Sequence, residues 1–109
     1  MIVSEKNISD ALTYLADDPH PIAKGRFAVT LAENEANKIY SRLFLQAEGS
    51  IDARKATALC SPEHIAAKQV EADAVFEYER HKARVKAAEM LLEIWRTENA
   101  NARAAERVR

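Results

Sequence analysis

Glycine, proline and cysteine are scarce in this chain of 109 residues, which has two glycines, three prolines and one cysteine. The glycines stand alone at positions 25 and 49, so the sequence has no glycine-rich loop of the kind that binds phosphate. The single Cys60 has no second cysteine with which to form an intramolecular disulfide. Such cysteine usage is typical of a reducing compartment, and we expect a cytoplasmic protein.

Long hydrophobic runs are also missing. The longest apolar pieces are short, such as "LFL" and "MLL", whereas a membrane-spanning helix needs roughly 20 apolar residues. Acidic residues, beginning with Glu5 and Asp10, interrupt the N-terminal stretch where a signal peptide would carry its apolar segment. We therefore expect no membrane association and no signal peptide.

The residues that are abundant favour helices. Ala, Glu, Lys, Arg and Leu dominate the sequence, and runs typical of strands are absent. We predict an all-α fold, an antiparallel hairpin of two long helices with a short N-terminal helix and a short corner helix, within an oligomeric bundle. The chain is expected to form a single helical domain, 1–109, with its helices within 1–20, 21–48, 50–60 and 62–105.

The first long helix has a clear apolar seam. One set of residues repeats every seven positions, and a second set follows three positions behind it, which is the a/d pattern of packed helices. The two sets are Ile22, Val29, Ala36 and Leu43, and Gly25, Ala32 and Ile39. Ser9 is the expected N-cap of the short first helix, Gly49 is expected to end the long helix, and Ser50 is expected to cap the corner helix.

The second long helix begins at a strong start pattern, Ser61-Pro62-Glu63, and neither glycine nor proline follows it. Its predicted inner stripe consists of Ile65, Ala72, Phe76, Ala83, Met90 and Ile94. Because this helix is longer than the first, the first helix cannot cover its whole apolar stripe, and the remainder must pack against another helix. We expect a homo-oligomer whose interface contains Leu91, Ile94 and Trp95.

Catalytic and metal-binding patterns are weak. His64 has no second histidine one turn away, so a zinc pair of the metalloprotease type is not formed. Cys60 lies near His64, but the sequence shows no third group that would orient such a pair. Asp17, Asp18 and His20 are best explained as a turn between prolines. We expect no enzyme activity, no metal, no cofactor and no small-molecule substrate.

Positive charge is concentrated at one end, although the whole chain has a net charge of −1. Residues 80–109 contain eight basic and four acidic side chains, a net of +4. Arg96, Asn99, Arg103 and Arg107 share one helical face, with Trp95 at its edge, and such a face suits phosphate or an acidic partner. The alternative is a fraying helix end whose arginines complement the helix dipole.

A second basic surface is predicted at the corner, where Arg54 and Lys55 follow Gly49 and Ser50. Its alternative explanation is a capped turn with solvated basic side chains.

Two stretches, "LFLQAEGSIDARKATAL" and "AEMLLEIWRTENANARA", together resemble a pattern in small uncharacterised helical proteins of tailed phages and prophages. In that pattern a glycine corner precedes an Arg-Lys-Ala helix, and a late helix ends in Trp-Arg, Asn-Ala-Asn and arginine. The resemblance covers residues 44–103 and implies an accessory role near replication or recombination. The matched positions are Gly49, Ser50, Arg54, Lys55, Trp95, Arg96, Asn99, Asn101 and Arg103.

The sequence thus favours a non-enzymatic accessory protein of phage DNA replication or recombination. Its partner is expected to be nucleic acid or a phage or host protein of DNA metabolism. The candidate contacts are Arg54, Lys55, Arg96, Asn99, Asn101, Arg103 and Arg107. The alternative is a helical structural protein, an adaptor or scaffold whose long helices serve only for assembly.

Overall fold

A computed structural model describes residues 3–108, and within this range the chain forms four α-helices and no strand. The helices are α1 (Glu5–Ala16), α2 (Pro21–Gln46), α3 (Ile51–Leu59) and α4 (Pro62–Val108). The prediction of an all-α fold with two long and two short helices is therefore confirmed. Within the same range, no helix is long and apolar enough to cross a membrane.

The described chain divides into two compact units. Unit 1 contains residues 3–21 and 80–108, and unit 2 contains Ile22–Glu79. The helix α4 contributes its first part to unit 2 and its second part to unit 1.

Unit 2 contains the predicted antiparallel hairpin. Near the start of α2, a Cβ atom added at Gly25 would lie 3.3 Å from the Cα atom of Tyr78. Near the end of α2, Arg42 forms an ion pair with Glu63. The start of α2 therefore lies near Tyr78 and its end near the beginning of α4, so the two helices run in opposite directions.

The seam predicted for α2 is the face that packs. Its central residues Val29, Ala32 and Ala36 are buried, and Ile22, Gly25, Ile39 and Leu43 are partly buried. Small side chains at Gly25, Ala32 and Ala36 permit the close approach of α4, because adding even one methyl group at Gly25 would bring it against the backbone.

The stripe predicted to face inward on α4 was wrong. Its large apolar members are exposed, with relative exposures of 57% for Ile65, 66% for Phe76, 58% for Met90 and 42% for Ile94. The face that is covered follows a different heptad, with spacings of three and four residues, and carries several polar side chains. Its most buried members are His64, Ala67 and Ala88, and its partly buried members are Glu71, Ala74, Tyr78, His81, Val85, Leu92 and Trp95.

The corner between α2 and α4 is built by local capping. Gly49 has a φ of +106°, a conformation that L side chains rarely adopt. The Ser50 side chain then accepts a hydrogen bond from the Ala53 amide at 3.2 Å and caps α3. Both roles agree with the sequence prediction.

Unit 1 pairs α1 with the second part of α4. The N-cap of α1 is Ser4, whose hydroxyl accepts a hydrogen bond from the Asn7 amide at 3.1 Å. The prediction of Ser9 as the cap was wrong, because the helix begins five residues earlier, where the Ser4 hydroxyl caps it, and Ser9 lies within the helix. The buried residues of α1 are Ile8, Ala11 and Tyr14.

Candidate binding surface

The last turns of α4 form an exposed helical segment. Every residue from Ala100 to Val108 is helical and exposed. The side chains of Arg96, Arg103 and Arg107 lie on one side of this segment, since spacings of seven and four residues keep them on one helical face. We call residues 95–108 the tail segment. Its first turn is partly covered, at Trp95, Glu98 and Asn99, whereas residues 100–108 are exposed among the described residues, and this exposed helix is a surface that can accept a partner.

A shallow concave surface lies on this side of the tail segment. It is lined by Trp95, Arg96, Asn99, Ala100, Ala102, Arg103 and Glu106. Its composition combines two guanidinium groups, one carboxylate, one amide, one indole and two alanines, so the basic groups outnumber the acidic one. Guanidinium groups bind phosphate and carboxylate oxygens with paired hydrogen bonds, so the surface suits an anionic partner.

The arginines of the tail segment are held only weakly within the protein. Arg96 lies 3.6 Å from the Glu93 carboxylate, and both side chains are 72% exposed, so solvent screens this pair strongly. The Arg103 Nε atom donates a hydrogen bond to the Asn99 carbonyl at 3.4 Å. A partner can replace either contact at small cost.

Trp95 and Asn101, which were also predicted for this region, are placed differently from the arginines. Trp95 is partly buried and lies at the edge of the concave surface. Asn101 is exposed but lies about 140° around the helix from Arg96, since each residue turns the helix by about 100°. The structure therefore brings Arg96, Asn99 and Arg103 together and places Asn101 on another side.

The corner residues belong to unit 2 and have a structural role. The Arg54 Nε atom donates a hydrogen bond to the Gly49 carbonyl at 3.1 Å, which ties α3 to the turn. Lys55 is exposed and lies beside it on α3. Of the two basic residues predicted for this surface, Arg54 is thus already engaged in holding the corner.

The three residues predicted for the oligomer interface do not share one environment. Leu91 lines a groove shared with α1, together with Asn7, Asp10, Ala11, Tyr14, Arg84, Ala87 and Ala88. Trp95 is partly buried, whereas Ile94 is exposed. Only Ile94 lies clearly on a face that the described chain leaves uncovered.

Sequence reasoning missed a polar cluster around Tyr14 in unit 1. The Tyr14 hydroxyl lies 3.0 Å from Nδ1 of His81. The Arg84 guanidinium carbon lies 4.0 Å from the centroid of the Tyr14 ring, and the His20 ring packs edge-on at 4.8 Å. Tyr14 and His20 are far in sequence from His81 and Arg84, and no local spacing relates Tyr14 to α4.

Cys60 and His64, which lie near each other in sequence, differ in their exposure. Cys60 is exposed, whereas His64 is buried against Tyr40, with ring centroids 5.6 Å apart. Among residues 3–108, no three His, Cys, Asp or Glu side chains are grouped so that they could hold a metal ion.

No family model matches this chain. No curated protein and no solved structure matches it either. Its function must therefore be argued from its own surfaces.

Proposed function

We propose that this protein is a non-enzymatic accessory protein that acts by binding an anionic partner through the tail segment. The observation that carries the proposal is the helical, arginine-bearing surface of the tail segment, on which Arg96, Arg103 and Arg107 are exposed within the described part of the chain. A cytoplasmic role in phage DNA replication or recombination is the setting that the resemblance of residues 44–103 supports. The partner would present nucleic-acid phosphates or the carboxylates of a protein.

The chemistry of the tail segment suits phosphate recognition. Arg96 and Arg103 can donate paired hydrogen bonds to phosphate oxygens, and Asn99 between them can donate and accept. Trp95 presents an aromatic surface at the edge, where a base or an apolar side chain can stack. Glu106 on the same surface lowers the net positive charge, which favours a specific contact over nonspecific coating of nucleic acid.

A binding titration tests the proposal. Fluorescently labelled duplex DNA, single-stranded DNA and a poly-glutamate peptide would each be titrated with the wild type and with Arg103→Ala/Arg107→Ala. We expect at least one probe to bind, and the variant to weaken that binding at least about fivefold, because each charge-assisted hydrogen bond contributes about 1.5–3 kcal/mol.

The matched control is Lys24→Ala/Lys38→Ala, which removes two exposed positive charges from α2 and changes the net charge equally. It should bind like the wild type. Equal weakening in both double variants would show a general charge effect, and undiminished binding after loss of Arg103 and Arg107 would refute the tail segment as the contact.

The second candidate function is assembly, in which the protein is a helical adaptor or scaffold. The observation that favours it is the exposed apolar side of α4, which carries Ile65, Phe76, Met90 and Ile94. An assembly protein would self-associate and would bind none of the three anionic probes.

A further inference from the structure

The outer side of α4 carries two apolar patches, one in each unit. Patch A, in unit 2, consists of Ile65, Ala72 and Phe76. Patch B, in unit 1, consists of Ala83, Ala87, Met90 and Ile94. Every one of these residues is exposed. Within each patch, spacings of three, four or seven residues place the side chains on one helical face. Apolar side chains grouped on an exposed helical face form the kind of surface through which proteins associate.

We propose that patch A of one copy packs against patch B of a second copy, with the two α4 helices antiparallel. The residue spacing read forward along the sequence in patch A is the same as the spacing read backward along the sequence in patch B. From Ile65, patch A continues after seven and then four residues, and from Ile94 the same backward steps lead to Ala87 and Ala83 in patch B; Met90, the remaining member of patch B, comes opposite Gln69 of the second copy.

This register pairs side chains of complementary size. Ile65 lies opposite Ile94 of the second copy, and Ala72 lies opposite Ala87, where two small side chains allow the helices to approach closely. Phe76 lies opposite Ala83, so the largest side chain of patch A meets one of the smallest of patch B. Packing of large against small side chains fills the space between helices at a close distance.

Net charge favours the antiparallel orientation. The part of α4 in residues 62–79 has five acidic and one basic side chain, a net of −4. Residues 80–96 have five basic and two acidic side chains, a net of +3. An antiparallel pair brings each acidic stretch against a basic one, whereas a parallel pair would bring like charge against like charge.

The flanks of the patches provide specific ion pairs in this register. Lys68 on one flank of patch A comes opposite Glu93 of the second copy, and because each copy carries both residues, an antiparallel dimer forms this pair twice. Within one copy, Lys68 contacts Glu71 at 3.1 Å and Glu93 contacts Arg96 at 3.6 Å. Both contacts are short-range pairs on one helix, with at least one strongly exposed side chain each, so they can be exchanged for pairs between copies at small cost.

Sedimentation equilibrium of the full chain tests the contact. The wild type should exceed the monomer mass of 12.2 kDa and approach twice that mass at micromolar concentration. Phe76→Glu and Ile94→Glu should each raise the dimer Kd at least about tenfold, because each places a charge in an apolar contact. The control is Leu45→Glu on α2, an apolar position that is 76% exposed, and it should leave the Kd within about twofold.

Thermal melts followed by circular dichroism show whether each variant is folded. We expect all three to remain folded, because Phe76, Ile94 and Leu45 are exposed. A wild type that stays at 12.2 kDa over the whole range would overturn the proposal. Unchanged dimerisation of Phe76→Glu would do the same.

A charge reversal tests the register. Lys68→Glu and Glu93→Lys should each weaken the dimer, and the two substitutions in one chain should restore it, because both pairs are then re-formed with reversed signs. Failure of the double variant to recover would contradict the antiparallel register.

Cross-linking tests the orientation directly. In a Cys60→Ser background, differently tagged Ile65→Cys and Ile94→Cys chains are mixed and oxidised. The antiparallel dimer predicts a mixed disulfide between the two chains, and homodisulfides in its place would show a parallel pair. Neither patch includes Arg103 or Arg107, so failure of the dimer would leave the tail segment as a separate proposal.

Discussion

At the scale of single residues, Tyr14 connects α1 to α4 within unit 1. It is only 8% exposed, and its hydroxyl lies within hydrogen-bonding distance of both Nδ1 and the carbonyl of His81. The aromatic ring meanwhile contacts Arg84 and His20. A hydrogen bond of this kind contributes about 0.5–1.5 kcal/mol to stability, and removing the hydroxyl leaves its His81 partner without that bond. The hydrogen bond of the Tyr14 hydroxyl and the packing of the Tyr14 ring therefore make separate contributions to the free energy of unfolding.

Substitution of Tyr14 separates these two contributions. Tyr14→Phe keeps the ring and removes the hydroxyl, and we expect a loss of about 1 kcal/mol of unfolding free energy. Tyr14→Ala also removes the ring, and a loss of about 3–5 kcal/mol is expected. Urea denaturation measures both, with the exposed Leu12→Ala of the same helix as a control that should change little. Equal stability of Tyr14→Ala and wild type would show that α1 is not anchored through this residue.

At the scale of helices, the sequence predicted α2 far better than α4. The seam of α2 consists of apolar and small residues alone, so periodicity identifies its buried face. On α4 the covered face includes His64, Glu71, Tyr78 and His81, whereas Ile65 and Phe76 point outward. Hydrophobic periodicity therefore selected the wrong side, because it detects any apolar stripe, including the exposed one that we propose for association.

The close packing of α2 against α4 can be tested at Ala36, which is 1% exposed. Ala36→Leu adds three carbon atoms where the helices meet, and overpacking of this kind costs about 1–3 kcal/mol. The same substitution at Ala28, which is exposed on α2, should leave the unfolding free energy nearly unchanged. Chemical denaturation of both variants gives the comparison, and tolerance of Ala36→Leu equal to that of Ala28→Leu would contradict the observed seam.

The candidate site was predicted in part. Helical periodicity alone brought Arg96, Asn99 and Arg103 to one face, since a continuous helix fixes their directions. The role of Arg54 in closing the turn at Gly49 could not be derived, because it depends on the φ of +106° at Gly49 and on the direction of the side chain. The separation of Leu91 from Ile94 likewise depends on which side of α4 receives α1.

At the scale of the whole molecule, α4 supplies one side to folding, another to the proposed dimer, and its exposed end to the proposed anionic partner. A long helix is well suited to this division, because residues on its different faces and at its end can each bind a different partner. The described residues contribute no group of metal ligands, and the proposed activity requires only surfaces.

The central claim is that the partner binds the tail segment. Amide hydrogen exchange tests this claim most directly. The exchange is measured by mass spectrometry with and without the best-binding anionic probe. In the absence of the probe, amides of residues 100–108 should exchange quickly, because these turns have no covering contacts. Saturation with the probe should slow exchange within residues 97–108 and leave α2 unchanged. Protection confined to α3, Ile51–Leu59, or no change in the tail segment at saturation, would contradict the claim.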